Sequence, residues 1–134
     1  MKAKCRSHCP IAFALEIFGD RWTLLVLRDL LLKGKKRYKD FLASEEEIAT
    51  NVLADRLRRL EREGLVVRLR PPGGGRQFVY RPTAKALDLL PVLLEISIWS
   101  AQVDPLTAAP PILMRRISKN RESFIREIRR QFLL

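Results

Sequence analysis

The sequence predicts a mostly helical α+β fold in which one short antiparallel hairpin is set among helices. Apolar residues recur at helical spacing through most of the chain, whereas the alternation typical of strands appears only around the breaker cluster Pro71–Gly75. Apolar residues make up 47% of the 134, which is enough for a hydrophobic core. We predict one domain over 1–101 and a C-terminal helical extension over 102–134.

Basic residues outnumber acidic ones by 26 to 15, so the net charge is +11. This balance favours a polyanionic partner, which is nucleic acid or, less in keeping with the rest of the chain, an anionic membrane surface. The apolar run near the N-terminus is interrupted by Glu16 and Asp20, which excludes a secretory leader. No run approaches the about 18 to 20 uninterrupted apolar residues of a membrane span. We therefore expect a cytoplasmic protein with no membrane partner.

Two helices are predicted at the start of the chain. Pro10 suits a first helical turn because its missing N–H has no partner there, and Gly19 ends that helix. Asp20 is placed to cap a second helix from Arg21 to about Lys33, which Gly34 stops. The predicted buried set of the second helix is Trp22, Leu24, Leu25, Leu27, Leu31 and Leu32.

The centre of the chain predicts a short helix at about Tyr38–Ser44, an acidic turn and an amphipathic helix over Thr50–Glu63. Leu53, Leu57 and Leu60 form one face of the second helix, and the opposite face is polar and rich in arginine. Two helices joined by a short turn form the helix-turn-helix arrangement, and a polar outer face suits the reading of DNA. An ordinary surface helix with a solvated back would show the same face.

A hairpin is predicted directly after the amphipathic helix. Its first strand alternates between apolar and basic residues, and its second strand runs over Arg76–Arg81. In this position a hairpin is a wing whose arginines can reach phosphates or the minor groove, although they would also solubilise an exposed edge. The first strand is predicted to face inward through Leu65, Val67 and Leu69, and the flanking arginines are Arg68, Arg70, Arg76 and Arg81.

The next predicted helix, Thr83–Trp99, is apolar on nearly all sides, with Thr83 as its N-cap and a kink expected at Pro91. One small domain cannot enclose such a helix, so we predict that a second subunit covers it in a symmetric homodimer. One or two amphipathic helices follow from Ile112. Their outer face is either a second basic binding surface or, as the sequence favours, a face that only contacts solvent. It comprises Arg115, Arg116, Lys119, Arg121, Arg126, Arg129 and Arg130.

Together these segments resemble the HxlR-type family of bacterial and archaeal winged helix-turn-helix regulators. The resemblance covers about Cys9–Trp99. It rests on the order and spacing of Cys9-Pro10, GDRWTLLVLRDLL (Gly19–Leu31), KRYKDFL (Lys36–Leu42), IATNVLADRLRRLEREGLVVR (Ile48–Arg68) and VYRPTAKALDLLPVL (Val79–Leu93).

The resemblance implies a homodimer on a palindromic operator, with the first and last helices of the family fold at the dimer interface. It assigns the recognition helix to Thr50–Glu63 and the wing to Arg68–Arg81. The chain departs from the family pattern in two places. Ala49 stands where a capping residue is usual, and the chain after Ala101 is longer than the usual end.

We therefore predict a sequence-specific DNA-binding transcriptional regulator, with a non-specific architectural DNA-binding protein as the alternative. Residues early in the recognition helix are expected nearest the bases, and the later arginines are expected to hold the backbone of double-stranded DNA. The predicted DNA-binding residues are Thr50, Asn51, Asp55, Arg58, Arg59 and Arg62 in the helix, Lys35, Lys36 and Arg37 before it, and Arg68, Arg70 and Arg76 in the wing.

An enzyme is not expected, because one histidine, no phosphate-binding loop and no paired carboxylates leave nothing on which to build a catalytic site or a cofactor site. The segment Cys5-Arg6-Ser7-His8-Cys9 offers three metal ligands but no fourth, so no metal is expected. A redox switch at Cys9, with Cys5 as the second thiol, is another interpretation, because a helix N-terminus favours the reactive thiolate and some members of the family use such a switch. The third interpretation of this segment is that Cys5 and Cys9 are ordinary thiols, with Cys9 packed at the dimer interface.

Overall fold

The computed structural model describes residues 7–107 and 111–132, and within them the fold is mostly helical with one small sheet. This confirms the predicted class. The chain forms two compact units, Met1–Ala86 and Leu87–Leu134. The functional division after Ala101 stays a prediction. The elements are α1 (Pro10–Phe18), α2 (Thr23–Leu31), α3 (Tyr38–Leu42), α4 (Thr50–Arg62), β1 (Val66–Leu69), β2 (Val79–Pro82), α5 (Ala84–Leu87), α6 (Leu90–Val103), α7 (Pro111–Lys119) and α8 (Arg121–Phe132).

Helix α1 begins and ends where its sequence signals predict, whereas α2 is about two residues shorter at each end than the predicted Arg21 to Lys33. Pro10 lies in the first turn of α1, and Gly19 ends it at a point where a Cβ would stand 2.3 Å from the carbonyl oxygen of Leu15. The Asp20 carboxylate accepts hydrogen bonds from the backbone N–H groups of Trp22 (2.9 Å) and Thr23 (3.1 Å), as a cap does.

The predicted buried set of α2 is wrong in part. Its buried apolar residues follow a stripe at i+3, i+4, i+7 and i+8 from the buried Thr23, which brings in Val26 and Leu30, and Asp29 is buried beside them. Four predicted members are only half-buried, because they lie on the helix flanks or just outside the helix. They are Trp22, Leu24, Leu25 and Leu32.

Helix α4 packs on α2 and α3 through the predicted leucines, since Leu53, Leu57 and Leu60 are all buried. The helix α3 ends at Leu42, two residues before the predicted end at Ser44. In the turn between α3 and α4, Glu47 adopts φ +55°, and its N–H donates to the Ser44 carbonyl at 3.1 Å. A side chain is uncommon in this left-handed conformation, which glycine adopts without steric cost.

The wing is an antiparallel hairpin in which β1 pairs with β2 from Val66 opposite Pro82 to Leu69 opposite Val79. The segment before α3 lies along β2, since Arg37 bridges to Val79. The second strand begins at Val79 rather than at the predicted Arg76, because the loop that starts at Pro71 extends to Phe78.

The predicted inward face of the first strand is also wrong. Leu65 and Val66 are buried as neighbours, whereas Val67 and Leu69 are 40% and 45% exposed. The reason is that Leu65 lies in the turn that closes the end of α4, where its N–H donates to the Leu60 carbonyl at 2.8 Å. The alternation of the strand therefore starts one residue later than the sequence suggests, and only its first residue passes under the helices.

Both ends of the wing are held together at a neck formed by 63–65 and 83–85. The hydroxyl of Thr83 donates to the Gly64 carbonyl at 2.6 Å, and the N–H of Thr83 donates to the Leu65 carbonyl at 3.0 Å. The Lys85 ammonium donates to the Glu63 carbonyl at 2.6 Å. These bonds satisfy carbonyl groups at the end of α4. Thr83 also caps α5 as predicted, because its hydroxyl oxygen accepts from the Ala86 N–H at 3.3 Å.

The kink expected at Pro91 is not there. The helix is instead interrupted at Asp88–Leu89, and Pro91 lies in the first turn of α6, where its missing N–H costs nothing. The helical segment 84–103 has a mean hydropathy of 1.4, so it is long and apolar enough to cross a membrane by length and composition alone. Lys85, Asp88 and Glu95 interrupt it, and apolar helices of soluble proteins meet the same criterion.

One or two amphipathic helices were predicted after Ile112, and there are two, α7 and α8, which contact each other and bury Ile117, Phe124 and Ile128. Their basic face is not wholly solvated, since three of its arginines form ion pairs. The pairs are Arg116 with Glu127, Arg121 with Glu95, and Arg129 with Asp88.

Candidate nucleic-acid interface

The outer face of α4 carries the exposed side chains Asn51, Arg58 and Arg62. None of the three has a hydrogen bond or an ion pair within the described part of the chain. The first turn is fixed from α3, because the Tyr38 hydroxyl donates to the carbonyl of Thr50 at 2.8 Å. Ala49 is the N-cap residue and makes no side-chain bond there, so the contact from Tyr38 ties the first turn to α3 but does not cap its N–H groups.

The flank of α4 that faces α2 holds two arginines, of which only Arg59 was predicted as a site residue. Nη1 of Arg59 lies 3.9 Å from Oδ1 of Asp20. The other, Arg56, donates from Nε to Oδ2 of Asp20 at 2.8 Å and from Nη1 to Oδ2 of Asp55 at 2.5 Å. Asp20 was predicted only as a cap. No local signal in the sequence pairs it with a residue 36 positions away.

The Asp20 carboxylate is held as an anion. Partial burial raises its pKa, but the hydrogen bonds from Thr23 and Arg56 outweigh that effect and hold the pKa well below its usual range. The hydrogen bond to Asp20 is also the main cause that raises the pKa of Arg56. Both groups therefore stay charged at neutral pH and tie α4 to the start of α2.

A second cluster of charges ties α2 to the turn before α4. Arg28 donates from Nη2 to the buried Asp29 at 2.8 Å and from Nη1 to Glu46, in the turn, at 3.2 Å. The ammonium of Lys35 lies 3.5 Å from the same Asp29. Lys35 is thus directed at a buried carboxylate, whereas the side chains of Lys36 and Arg37 are exposed.

The arginines of the wing differ in how they are held. The guanidinium carbons of Arg68 and Arg70 lie 4.2 Å and 4.9 Å from the ring centroid of Phe78, within the range of a cation–π contact. Nε of Arg68 is also 4.0 Å from Oε2 of Glu61 in α4. Arg76 is exposed in the loop and has no partner within residues 7–107 and 111–132. Phe78, which was not among the predicted site residues, contacts both of the first two arginines.

The thiol of Cys9 is free and exposed at the N-cap of α1, as the sequence predicts for its position. Its N–H donates to Oγ of Ser7 at 3.3 Å. Cys5 lies outside the described residues. Among the residues that the structure describes, no group of three or more His, Cys, Asp or Glu side chains is placed to hold a metal ion.

The arrangement presents amide and guanidinium groups on a helix that is anchored from behind by leucines and from the side by two charge clusters. Such groups can form paired hydrogen bonds with base edges, while wing arginines contact phosphates. Rigid anchoring matters because base reading depends on the position of each donor.

A family model described as HxlR-like helix-turn-helix matches residues 17–106. The chain is 36% identical over 99 residues to YvaP of Bacillus subtilis (strain 168), an uncharacterised HTH-type transcriptional regulator, in a match that covers 72% of this chain and 91% of the relative. The reduced form of the B. subtilis regulator YodB superposes with a TM-score of 0.60 at 31% identity, covering 72% of this chain and 94% of that one. The redox regulator HypR in its oxidised form gives a TM-score of 0.62 at 28% identity, covering 70% and 96%. The winged helix-turn-helix fold is thereby confirmed, and the chain belongs to the HxlR-like helix-turn-helix family of DNA-binding transcriptional regulators.

Proposed function

We propose that this regulator binds a specific palindromic operator as a homodimer. The observation that carries the proposal is the outer face of α4, where Asn51, Arg58 and Arg62 are exposed and unpaired within the described part of the chain. Asparagine can pair with adenine and arginine with guanine in the major groove. A helix that carried these groups only for solubility would not need two separate charge clusters to fix its position.

In this proposal the first turns of α4, with Thr50, Asn51 and Asp55, lie nearest the bases. The later arginines of the helix hold the phosphates. The contacts to the backbone on either side of the major groove come from the segment before α3 and from the wing. The phosphate contacts of α4 come from Arg58, Arg59 and Arg62, those before α3 from Lys36 and Arg37, and those of the wing from Arg68, Arg70 and Arg76. Lys35 would have to leave Asp29 to join them.

The homodimer is supported by exposed apolar side chains on α1 and α6. In α1, which is described in full and has no buried residue, Ile11, Phe13 and Leu15 are 71%, 57% and 56% exposed and lie on more than one side of the helix. In α6, Trp99 and Val103 are 64% and 63% exposed. Large apolar side chains left exposed in this number favour an interface with another chain, and a twofold axis would cover the same helices in both subunits.

A selection of binding sites from randomised duplex DNA tests the operator. A palindromic site is expected, and footprinting across the region upstream of the protein's own gene should protect a matching sequence. Uniform binding of all duplexes would contradict the proposal and favour the non-specific architectural protein.

The action on DNA also implies a location in the cytoplasm.

We further propose that Cys9 senses oxidants. The exposed thiol at a helix N-terminus supports this, as does the similarity to the redox regulator HypR, known in oxidised and reduced forms, and to the reduced form of YodB. The Cys9 thiol and a second cysteine thiol would each give up one electron and one proton to peroxide. The products are one disulfide and two molecules of water. Non-reducing gels before and after peroxide, with Cys9→Ser as the control, test this. If the gels showed no crosslink and DNA affinity were unchanged, the idea would be wrong.

A further inference from the structure

A chain of charged side chains runs from the start of α2 to the outer face of α4. It begins at Asp20, whose Oδ2 accepts from the N–H groups of Trp22 and Thr23 at 2.9 Å and 3.1 Å. Oδ1 of Asp20 accepts from the hydroxyl of Thr23 at 2.5 Å. Three bonds to the first turn of α2 therefore hold this carboxylate in one orientation relative to the body of the domain.

Arg56 is the middle of the chain and bridges two carboxylates. Its Nε donates to Oδ2 of Asp20 at 2.8 Å, and its Nη1 donates to Oδ2 of Asp55 at 2.5 Å. The side chains of Arg56 and Asp20 are 19% and 23% exposed, whereas that of Asp55 is 45% exposed. A planar guanidinium with two fixed partners has little freedom, so the outer carboxylate of Asp55 is held through it by the scaffold.

We infer that Asp55 is a specificity-determining residue that favours cytosine at one base pair of each half-site, and that Asp20 and Arg56 are its positioning residues. The inference rests on the proposed function, because it requires α4 to enter the major groove of DNA.

The preference for cytosine follows from the carboxylate oxygen of Asp55 that remains free to accept a hydrogen bond. Arg56 occupies one oxygen of Asp55, and Oδ1 has no partner within the described residues. In the major groove cytosine presents an amino donor, whereas guanine presents two acceptors and thymine one, which a carboxylate repels. Adenine presents an amino group beside the acceptor N7, so it is the weaker choice. The positive charge of Arg56 offsets the repulsion between the Asp55 carboxylate and nearby phosphates.

Selection from randomised duplexes with the full chain tests the inference. The wild type should enrich a palindrome with cytosine at one position of each half-site. Asp55→Asn should reduce the enrichment of cytosine at that position about tenfold. It should favour adenine instead, because an amide pairs with adenine through two hydrogen bonds. The other positions of the site should stay as they are.

Two further variants test the positioning residues. Asp20→Asn keeps an acceptor for the first turn of α2 but loses the charge that holds Arg56, and Arg56→Lys keeps the charge but cannot donate to two carboxylates in one plane. Each should reduce the cytosine preference at the same position and leave the rest of the site unchanged. If both left that preference intact, Asp20 and Arg56 would not be positioning residues.

Glu63→Gln is the matched control, since it removes one negative charge at the end of α4 from a side chain with no ion pair in the described part of the chain, and it should leave the base preferences unchanged. If Asp55→Asn selected the same bases as the wild type, the inference about Asp55 would be overturned, while a palindromic site would still support the regulator. If the wild type enriched no site, the proposed function would fail and the inference with it.

Discussion

The carboxylate of Asp20 serves two helices, because it caps α2 and accepts a hydrogen bond from Arg56 of α4. A helical cap can be predicted from the sequence, since it depends on residues two or three positions away. The contact with Arg56 spans 36 positions, so it depends on how α2 and α4 pack. At the scale of residues, a role such as a helix cap can therefore be predicted from the sequence. The long-range side-chain contacts that hold α4 in place cannot.

The low pKa of Asp20 gives a prediction for stability against pH. A carboxyl whose pKa is lower in the folded state stabilises the fold above its unfolded pKa, about 3.9, and that stabilisation is lost as the pH falls further. Wild type should therefore be more stable than Asp20→Asn at pH 7, and the difference should shrink below about pH 4. Urea unfolding of both proteins from pH 7 to pH 3 measures it. A difference that did not change with pH would contradict the ion pair.

The left-handed conformation of Glu47 gives a second prediction. Glycine adopts φ +55° without the steric cost of about 1 kcal/mol that a side chain has there, so Glu47→Gly should be as stable as wild type or up to about 1 kcal/mol more stable. Glu45→Gly removes the same charge from the same turn without relieving such a conformation, and it should be less stable than wild type. Urea denaturation decides the order, and a less stable Glu47→Gly than Glu45→Gly would refute it.

At the scale of elements, periodicity predicted the helices because their buried faces follow the chain's own repeat. The leucines of α4 are buried as predicted, and both C-terminal helices are present. The errors lie where an element meets another, at the start of β1 and at Pro91. Leu65 lies in the turn that closes α4 rather than beginning a strand, and Pro91 begins a helix rather than bending one. Sequence patterns do not determine such boundaries, since the same residue can end one element or begin the next.

Helix α4 and the wing should respond differently to the loss of one arginine. Arg76→Ala should weaken binding to all duplexes by a similar factor and lower the salt dependence by about one counterion, because Arg76 contacts phosphate in the proposed complex. Arg58→Ala should weaken binding too, and where it reads a base it should relax one position of the operator. Titrations of operator and random DNA at several salt concentrations measure both. A flat salt dependence for the wild type would contradict the electrostatic argument.

At the scale of the whole molecule, the apolar helix predicted to need a second subunit leaves one row of its side chains exposed. Ile96, Trp99 and Val103 recur at i, i+3 and i+7, so they lie on one face of α6. The sequence predicts that such a helix needs cover. It does not indicate which of its faces stays open, because that depends on what the rest of the chain already buries.

The proposed dimer predicts that charge among the exposed apolar side chains of α1 and α6 separates the subunits. Trp99→Asp and Leu15→Asp should each shift the molecular mass in solution from two chains toward one and lower operator affinity, since a buried unpaired charge is costly. Light scattering after size-exclusion chromatography measures the mass. Leu106→Asp is the control, because Leu106 is 91% exposed but outside α1 and α6. An unchanged mass for both interface variants would exclude this interface.

The neck that joins 63–65 to 83–85 makes the length of the wing independent of the position of α4. Hydrogen bonds from Thr83 and Lys85 close the hairpin at its base, so its tip at Gly73–Gly75 has no part in holding the helix. Each doubling of a flexible loop costs only about 0.6 kcal/mol of closure entropy. A peptide tag or a fluorophore-bearing segment inserted at that tip should therefore be tolerated. The wing is then a place to install a reporter of approaching DNA without displacing α4, the helix proposed to read the bases.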